Sequence, residues 1–353
     1  MSGFEAYQGT RPVADAHRFD VAALERYLQG TVAGFRGPLQ VEQFKGGQSN
    51  PTFRLRTPNR SYVMRRKPPG KLLPSAHAVD REYRVITALA NSDVPVPRTF
   101  ALCSDESVIG SMFYVMEDVD GRVLWDPALP GMTPVERRAI FAEMNRVIAA
   151  LHTTDFAALG LGDYGKPGNY FSRQVDRWSK QYKASETEAI AAMDLLIEWL
   201  PANIPPGDDT SIVHGDYRLD NVIFHPSEPR ILAVLDWELS TLGHPLADFA
   251  YHAMAWRLSP REFRGLRGQN LAALGIPGEG EYVAMYLERT GRAAPSARDW
   301  EFYIVFNLFR AAAIFQGVMA RAVAGNASSA QAVETGRRAR PTAEFAWALV
   351  EKL

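Results

Sequence analysis

The chain is poor in cysteine, with Cys103 alone among 353 residues. A single thiol excludes an internal disulfide framework and a multi-cysteine zinc site, and it fits a reducing compartment. A surplus of charge is missing too: Lys and Arg total 39 against 40 Asp and Glu, a formal net charge of −1. That balance speaks against a nucleic-acid coat or a polybasic membrane binder, so no nucleic acid and no membrane is expected as a partner. Long hydrophobic runs are absent. The most apolar stretch, Tyr303–Ala324, is interrupted by Asn307, Arg310, Gln316 and Arg321, which predicts a buried helix rather than a membrane span. Residues 1–20 have no apolar core and no early basic cluster, so they do not read as a signal peptide, and a cytoplasmic location is expected. No P-loop G-x-x-x-x-G-K-[ST] and no nucleophile-elbow G-x-S-x-G occurs, and the histidines at 214, 225, 244 and 252 lack H-E-x-x-H spacing. The P-loop, esterase and zinc-protease readings therefore lose their main support.

What is present is an ordinary globular composition, 46% apolar and 22% charged, in a chain long enough for two domains. The near-zero net charge hides an asymmetry. Residues 41–100 hold eleven Lys/Arg and four Asp/Glu, whereas residues 201–260 hold three Lys/Arg and eight Asp/Glu. One segment suits phosphate and the other a cation.

The basic segment reads as a small sheet with one helix. Phe53–Arg56 and Ser61–Arg65 alternate like strands, and Thr57-Pro58-Asn59-Arg60 between them is turn chemistry, which predicts a hairpin. A helix is expected near Arg81–Ala90, with Asp80 as its N-cap. Phe113–Met116 is a further strand, running into a hinge at Glu117-Asp118-Val119-Asp120-Gly121. Beyond it the pattern turns helical. Thr133-Pro134-Val135-Glu136 combines an N-cap, a proline at the first helical position and a capping-box Glu. Helices are expected near 186–200, 246–256, 281–288 and 300–324, with short strands at 211–213, 222–224 and 231–235. Residues 326–340 read as a mobile connection.

Chemistry concentrates in His214-Gly215-Asp216-Tyr217-Arg218-Leu219-Asp220-Asn221 and in Leu235-Asp236-Trp237. Asp216 and Asn221 lie five residues apart on a loop between apolar strands, and Asp236 follows a third strand. Two carboxylates and an amide oxygen suit a hard cation such as magnesium, which takes oxygen ligands. A carboxylate beside such a site can accept a proton from an attacking hydroxyl.

This ordered set, H-G-D-x-x-x-x-N and then an aspartate after a strand, resembles the aminoglycoside phosphotransferase family of the protein-kinase-like superfamily. The Tyr217–Asp220 wording is similar to the branch found fused to acyl-CoA dehydrogenases. The resemblance spans roughly residues 40–260 by motif order. It implies that Asp216 orients and deprotonates an acceptor hydroxyl, that Asn221 and Asp236 hold Mg2+ on the phosphates of ATP, and that His214 braces the loop. Upstream, Gly46-Gly47-Gln48-Ser49-Asn50 resembles the family's G-G-x-S-N loop. Its glycines let backbone amides approach phosphate, and Ser49 adds a donor. Strand alternation puts Val63 and Arg65 on one face; if Val63 meets the adenine, as the resemblance implies, Arg65 meets the phosphates. Protein kinases carry Lys there; Arg is a permanent, bidentate alternative. Glu82 shares a helix face with Ile86 and Leu89, and a carboxylate on such a stripe needs a partner. The resemblance makes that partner Arg65. Backbone groups across Met116–Val119, those of Glu117 and Val119 included, would meet the adenine edge. Asp248 resembles the family's aspartate that caps a helix near the catalytic loop.

The expected fold is therefore α+β, protein-kinase-like and two-lobed: a β-rich nucleotide-binding lobe over residues 1–117 and a mostly helical lobe over 118–353. The expected activity is transfer of the γ-phosphate of ATP to a small-molecule hydroxyl. No A-P-E motif follows Asp236, which disfavours a protein substrate. Residues 302–343 contain five Arg and a single acid, Glu334, which favours a neutral or anionic acceptor, such as a hydroxy acid or hydroxyacyl thioester, over an aminoglycoside. The resemblance adds a functional link to an acyl-CoA dehydrogenase as a partner. Two alternatives remain open at this stage. A non-catalytic nucleotide-binding module would bind ATP without acceptor-dependent ADP release. A metal-dependent phosphohydrolase would leave the glycine loop, Arg65 and Glu82 without a task.

Overall fold

The structure is a computed structural model that describes residues 8–46, 50–68, 77–325 and 331–353. The chain divides into two compact units, one of residues 1–125 with 220–239 and the other of residues 126–219 with 240–353. The first unit thus takes in a return segment, 220–239, that lies far downstream of the expected lobe boundary at 117/118.

The first unit is built on a six-stranded antiparallel sheet in the order β1-β2-β3-β4-β6-β5. Its strands are β1 (Thr10–Arg11), β2 (Gln40–Phe44), β3 (Thr52–Arg56), β4 (Ser61–Arg66), β5 (Thr99–Cys103) and β6 (Phe113–Glu117). The expected β3–β4 hairpin is present, closed by the Thr57 N–H donating to the Arg60 carbonyl at 3.0 Å. One sheet face buries Phe53, Leu55, Tyr62, Met64, Phe113 and Val115 against Leu24 and Leu28 of helix α1 (Val21–Thr31). Met64 faces this core, and Arg66 lies over the Phe19 and Phe53 rings, so period-two alternation turns Val63 and Arg65 to the opposite face. Helix α2 (Val79–Leu89) begins two residues before its expected start, with Ala78 at the N-cap; Asp80 lies inside the first turn and does not cap it. Strands β8 (Val222–Phe224) and β9 (Ile231–Val234) form an antiparallel hairpin, also in the first unit.

The second unit is mostly helical. It holds α3 (Pro134–Thr153), α4 (Tyr170–Ala184), α5 (Ala191–Ala202), α6 (Pro245–Ala253), α7 (Pro260–Phe263), α8 (Leu271–Leu274), α9 (Glu279–Thr290), α10 (Ala297–Val323), α11 (Ala332–Gly336) and α12 (Ala339–Val350). The strands β7 (Ser211–Val213) and β10 (Thr241–Gly243) pair antiparallel. The Thr133–Glu136 capping box forms as its sequence predicts. Helix α10 packs on α4, α5, α6, α11 and α12 and is the axis of the unit. By length and composition it is apolar enough to cross a membrane, yet 83% of that apolar window is buried within the protein. Its rings stack with neighbours: Tyr303 lies 5.4 Å from Phe171 at an interplanar angle of 15°. Two expectations fail here. The helix expected from 186 begins at Ala191, and residues 332–336 and 339–350 are helical where a mobile connection was expected; residues 326–330 of that stretch lie outside the described residues.

The hinge is tied to the β8–β9 hairpin within the first unit. Arg122 and Phe224 exchange backbone N–H···O=C bonds, each 2.8 Å. Gly121 makes this approach feasible, because a Cβ there would sit 2.3 Å from the Phe224 carbonyl oxygen. Gly121→Ala is expected to cost about 1–3 kcal/mol through forced separation, and hydrogen exchange should show faster exchange of the Arg122 and Phe224 amides. Unchanged protection of both would refute the crowding argument.

Candidate functional site

Arg65 is 7% exposed and meets three carboxylates within the first unit. Its Nε lies 3.1 Å from Glu82 Oε2, and its Nη2 donates to Asp236 Oδ1 at 2.6 Å and to Glu238 Oε2 at 3.3 Å. A guanidinium cannot shed its proton, so burying it demands such partners. Burial works against its charge, but Glu82, Asp236 and Glu238 more than compensate and hold its pKa well above the ordinary value. Glu82, 1% exposed, accepts from Asn50 Nδ2 at 2.9 Å and from the Tyr114 hydroxyl at 3.2 Å. Burial nevertheless pushes its carboxyl up to about 7, with Arg65 and these donors pulling the other way. Helical phase explains the geometry: Glu82, Ile86 and Leu89 are all buried on one face of α2.

Asn221 and Asp236 sit at one end of the β8–β9 hairpin. The register pairs Val222 with Val234, and the Asn221 carbonyl accepts from Leu235 N–H at 2.8 Å. Asp236 adopts a left-handed backbone, φ +63°. Such a conformation at a non-glycine residue costs energy and is maintained where the surroundings impose it. The donor chemistry here is oxygen only, an amide and a carboxylate, and around Arg65 one cation faces three acids. That excess of negative charge fits a divalent cation held by one or two side chains and completed by phosphate and water. Among the described residues no group of three or more His, Cys, Asp or Glu could hold a metal unaided.

The other expected nucleotide contacts are distributed over the same unit. Val63 is buried on β4 between Arg54 of β3 and Met116 of β6. Glu117 ends β6; its N–H donates to the Arg98 carbonyl at 2.8 Å and its carboxylate accepts from the Arg98 N–H at 3.3 Å. Asp118 pairs with Arg54 at 2.8 Å, which anchors the chain beside half-buried Val119. Gly46 follows β2, and Asn50 is fully buried on Glu82 and on His77 Nδ1, so its side chain supports α2. Gly47 and Ser49 lie outside the described residues.

In the second unit, Asp216 is held by the loop that carries it. Its N–H donates to His214 Nδ1 at 3.1 Å, so His214 braces the turn. Arg218 grips the carboxylate with two nitrogens, Nε 2.9 Å from Oδ1 and Nη2 donating to Oδ2 at 3.0 Å, and the Tyr251 hydroxyl also donates to Oδ1. Asp248 does not cap a helix, as its family counterpart was expected to. From the first turn of α6 it accepts the backbone N–H groups of His214 at 2.7 Å and Gly215 at 2.8 Å, and its Oδ2 faces His152 Nε2 at 3.2 Å. Burial raises the Asp248 carboxyl, but His152 and His214, the latter through both its ring and its backbone amide, outweigh it and hold it below the ordinary carboxylate value. Sequence reasoning missed Glu238, Arg218, Tyr251 and His152 as parts of these clusters. Arg218, two residues after Asp216, and Glu238, two after Asp236, carried the only local signal. The Glu82 carboxyl is expected to titrate near neutral pH, and Arg65→Met, which deletes the cation favouring its ionised form, should raise its pKa further. Carbon-13 NMR of the side-chain carboxyls tests this, and titration at an ordinary glutamate value would refute it.

Residues 40–298 match the phosphotransferase enzyme family. The chain is 48% identical over 359 aligned positions to acyl-CoA dehydrogenase family member 10 of Mus musculus; the match covers 100% of this chain and 33% of that protein. It therefore spans about a third of the length of that curated relative. Among solved structures, a Ralstonia eutropha JMP134 protein provisionally assigned as an aminoglycoside phosphotransferase is 62% identical, with a TM-score of 0.87 over 95% of this chain and 99% of that one. Choline kinase from Cryptosporidium parvum Iowa II shares the fold at 12% identity, with a TM-score of 0.68 over 95% of this chain and 96% of that one. The six-stranded first unit, the helical second unit and the H-G-D-x-x-x-x-N loop place this α+β chain, with its protein-kinase-like fold, in the phosphotransferase enzyme family.

Proposed function

We propose that this phosphotransferase moves the γ-phosphoryl group of ATP to the hydroxyl of a small molecule. The observation that carries the reading is the 2.6 Å bond between Arg65 and Asp236, in a partly buried cluster where Arg65 meets three carboxylates. A strand cation and a post-strand aspartate 171 positions apart in the sequence have a shared task if one addresses phosphate oxygens and the other their counter-ion. Arg65 neutralises phosphate charge, and Glu82 fixes the guanidinium in place. Asn221 and Asp236 would hold Mg2+, whose contribution when bound is charge neutralisation of the phosphates. Val63 and the backbone of Glu117 and Val119 face the base, and the glycine-rich sequence Gly46–Asn50 offers phosphate-binding chemistry. Asp216 orients the acceptor and takes its hydroxyl proton as the oxygen–γ-phosphorus bond forms and the bond to the ADP oxygen breaks.

The acceptor is proposed to be neutral or anionic, a hydroxy acid or hydroxyacyl thioester rather than an aminoglycoside. The arginine-rich sequence of residues 302–343 supports this, and a functional link to an acyl-CoA dehydrogenase, suggested by the relative's name, is consistent with it. Asp216→Ala is expected to lower turnover by about 10²–10⁴-fold, the usual scale for loss of a general base, while leaving magnesium-ATP binding intact. Asp236→Ala should lose metal-dependent nucleotide binding itself. Calorimetric ATP titration and a screen of hydroxylated metabolites for ADP release test both. Full turnover by Asp216→Ala would reject the assignment of the base, and phosphate release from simple esters without ATP would favour a hydrolase.

A further inference from the structure

Helix α10 delivers a buried arginine to the Asp216 loop. Arg310 is 5% exposed, and its Nη2 donates to the carbonyl of Gly215, the residue before Asp216. Its guanidinium lies 5.1 Å from the Tyr251 ring and 5.5 Å from the Trp178 ring. Among the described residues it makes no ion pair with a carboxylate, which is unusual for a cation removed from water. The two acids at the Gly215 turn are already committed. Asp216 is gripped by Arg218 and Tyr251, and Asp248 is occupied by two backbone amides and faces His152. Further along α4, Arg173 donates to the Gly168 and Lys166 carbonyls and Arg177 lies 5.5 Å from the Trp178 ring; among the described residues neither forms an ion pair, so both add positive potential.

We infer that Arg310 is a specificity-determining residue that receives a carboxylate carried by the acceptor, with Trp178 and Tyr251 walling its guanidinium. This rests on the phosphotransferase reading and sharpens it. The acceptor is a hydroxycarboxylate whose anionic group is bound beside the loop that holds its hydroxyl. Arg218 cannot take this role while its charge is spent on Asp216. The flanking rings favour an arginine, whose planar cation stacks and still presents paired donors, over a lysine.

The test is calorimetric binding of short hydroxycarboxylates, each against its neutral methyl amide, to the full chain, with magnesium-ADP titrated into the same preparations. The wild type is expected to bind the carboxylates about tenfold or more tighter than the amides, the scale of a charge-assisted hydrogen bond. Arg310→Met should erase that ratio, whereas a merely structural role would weaken both ligand series alike. Arg310→Lys, which keeps the charge, should retain part of the preference and serves if the methionine variant does not fold. A wild type that binds magnesium-ADP but shows no carboxylate preference overturns this inference and leaves the phosphotransferase reading standing. Failure to bind nucleotide would count against that reading instead. An unchanged ratio in Arg310→Met also overturns the inference.

Discussion

A guanidinium that is removed from water and unable to deprotonate dictates much of the first unit. Arg65 has to be met by acids, and those acids come from three places: Glu82 on α2, Asp236 after β9 and Glu238 two residues later. The β-sheet, the helix and the return hairpin are therefore registered to one another through a single side chain. Truncating that side chain would leave the buried Glu82 carboxylate without its cation, a larger penalty than the net worth of that pair. The cluster is also over-supplied with acid. Burial already forces Glu82 up to about 7, so the local charge relaxes partly by proton uptake. A second cation beside Asp236 would relax it further.

Positioning in the second unit follows a different logic. The turn that carries Asp216 has a positive-φ glycine, Gly215 at φ +84°, and its backbone amides are gathered by the buried Asp248. That carboxylate is set in turn against His152, whose Nδ1 faces the Tyr286 hydroxyl at 2.7 Å. Burial lowers the pKa of His152 against the opposing pull of Asp248. Asp216 thus sits on a turn fixed from both sides, with Asp248 on the amides of His214 and Gly215 and Arg310 on the Gly215 carbonyl.

How much of this was legible in the sequence depends on the range of the signal. Arg65 and Glu82 were readable because period-two and period-3.6 patterns assign faces, and a charge on an apolar face demands a partner. The Thr133 cap was readable because all its determinants lie within four residues. The Asp80 cap failed because α2 starts earlier, at Val79, where tertiary packing rather than capping chemistry sets the end. Helix α4 escaped notice because Arg173, Asp176, Arg177 and Lys180 dilute its apolar stripe; only Tyr170, Phe171, Val175, Trp178 and Tyr182 are buried. Arg310 was visible as an interruption in an apolar run and as one of five arginines in residues 302–343. Its meaning depends on the Asp216 loop, 95 residues away in sequence.

The choice of Arg where protein kinases carry Lys is explained by the same cluster. Arg65 reaches Glu82 through Nε while Nη2 spans Asp236 and Glu238, so one rigid fork serves acids on two sides. An ammonium group has three donors radiating from one atom and would have to choose among them. It would also be open to deprotonation when buried, whereas the guanidinium keeps its charge whatever Glu82 does near neutrality. A lysine in this position suits a site with one paired glutamate. Three carboxylates, one of them ionising only near pH 7, call for a cation that is both permanent and polydentate.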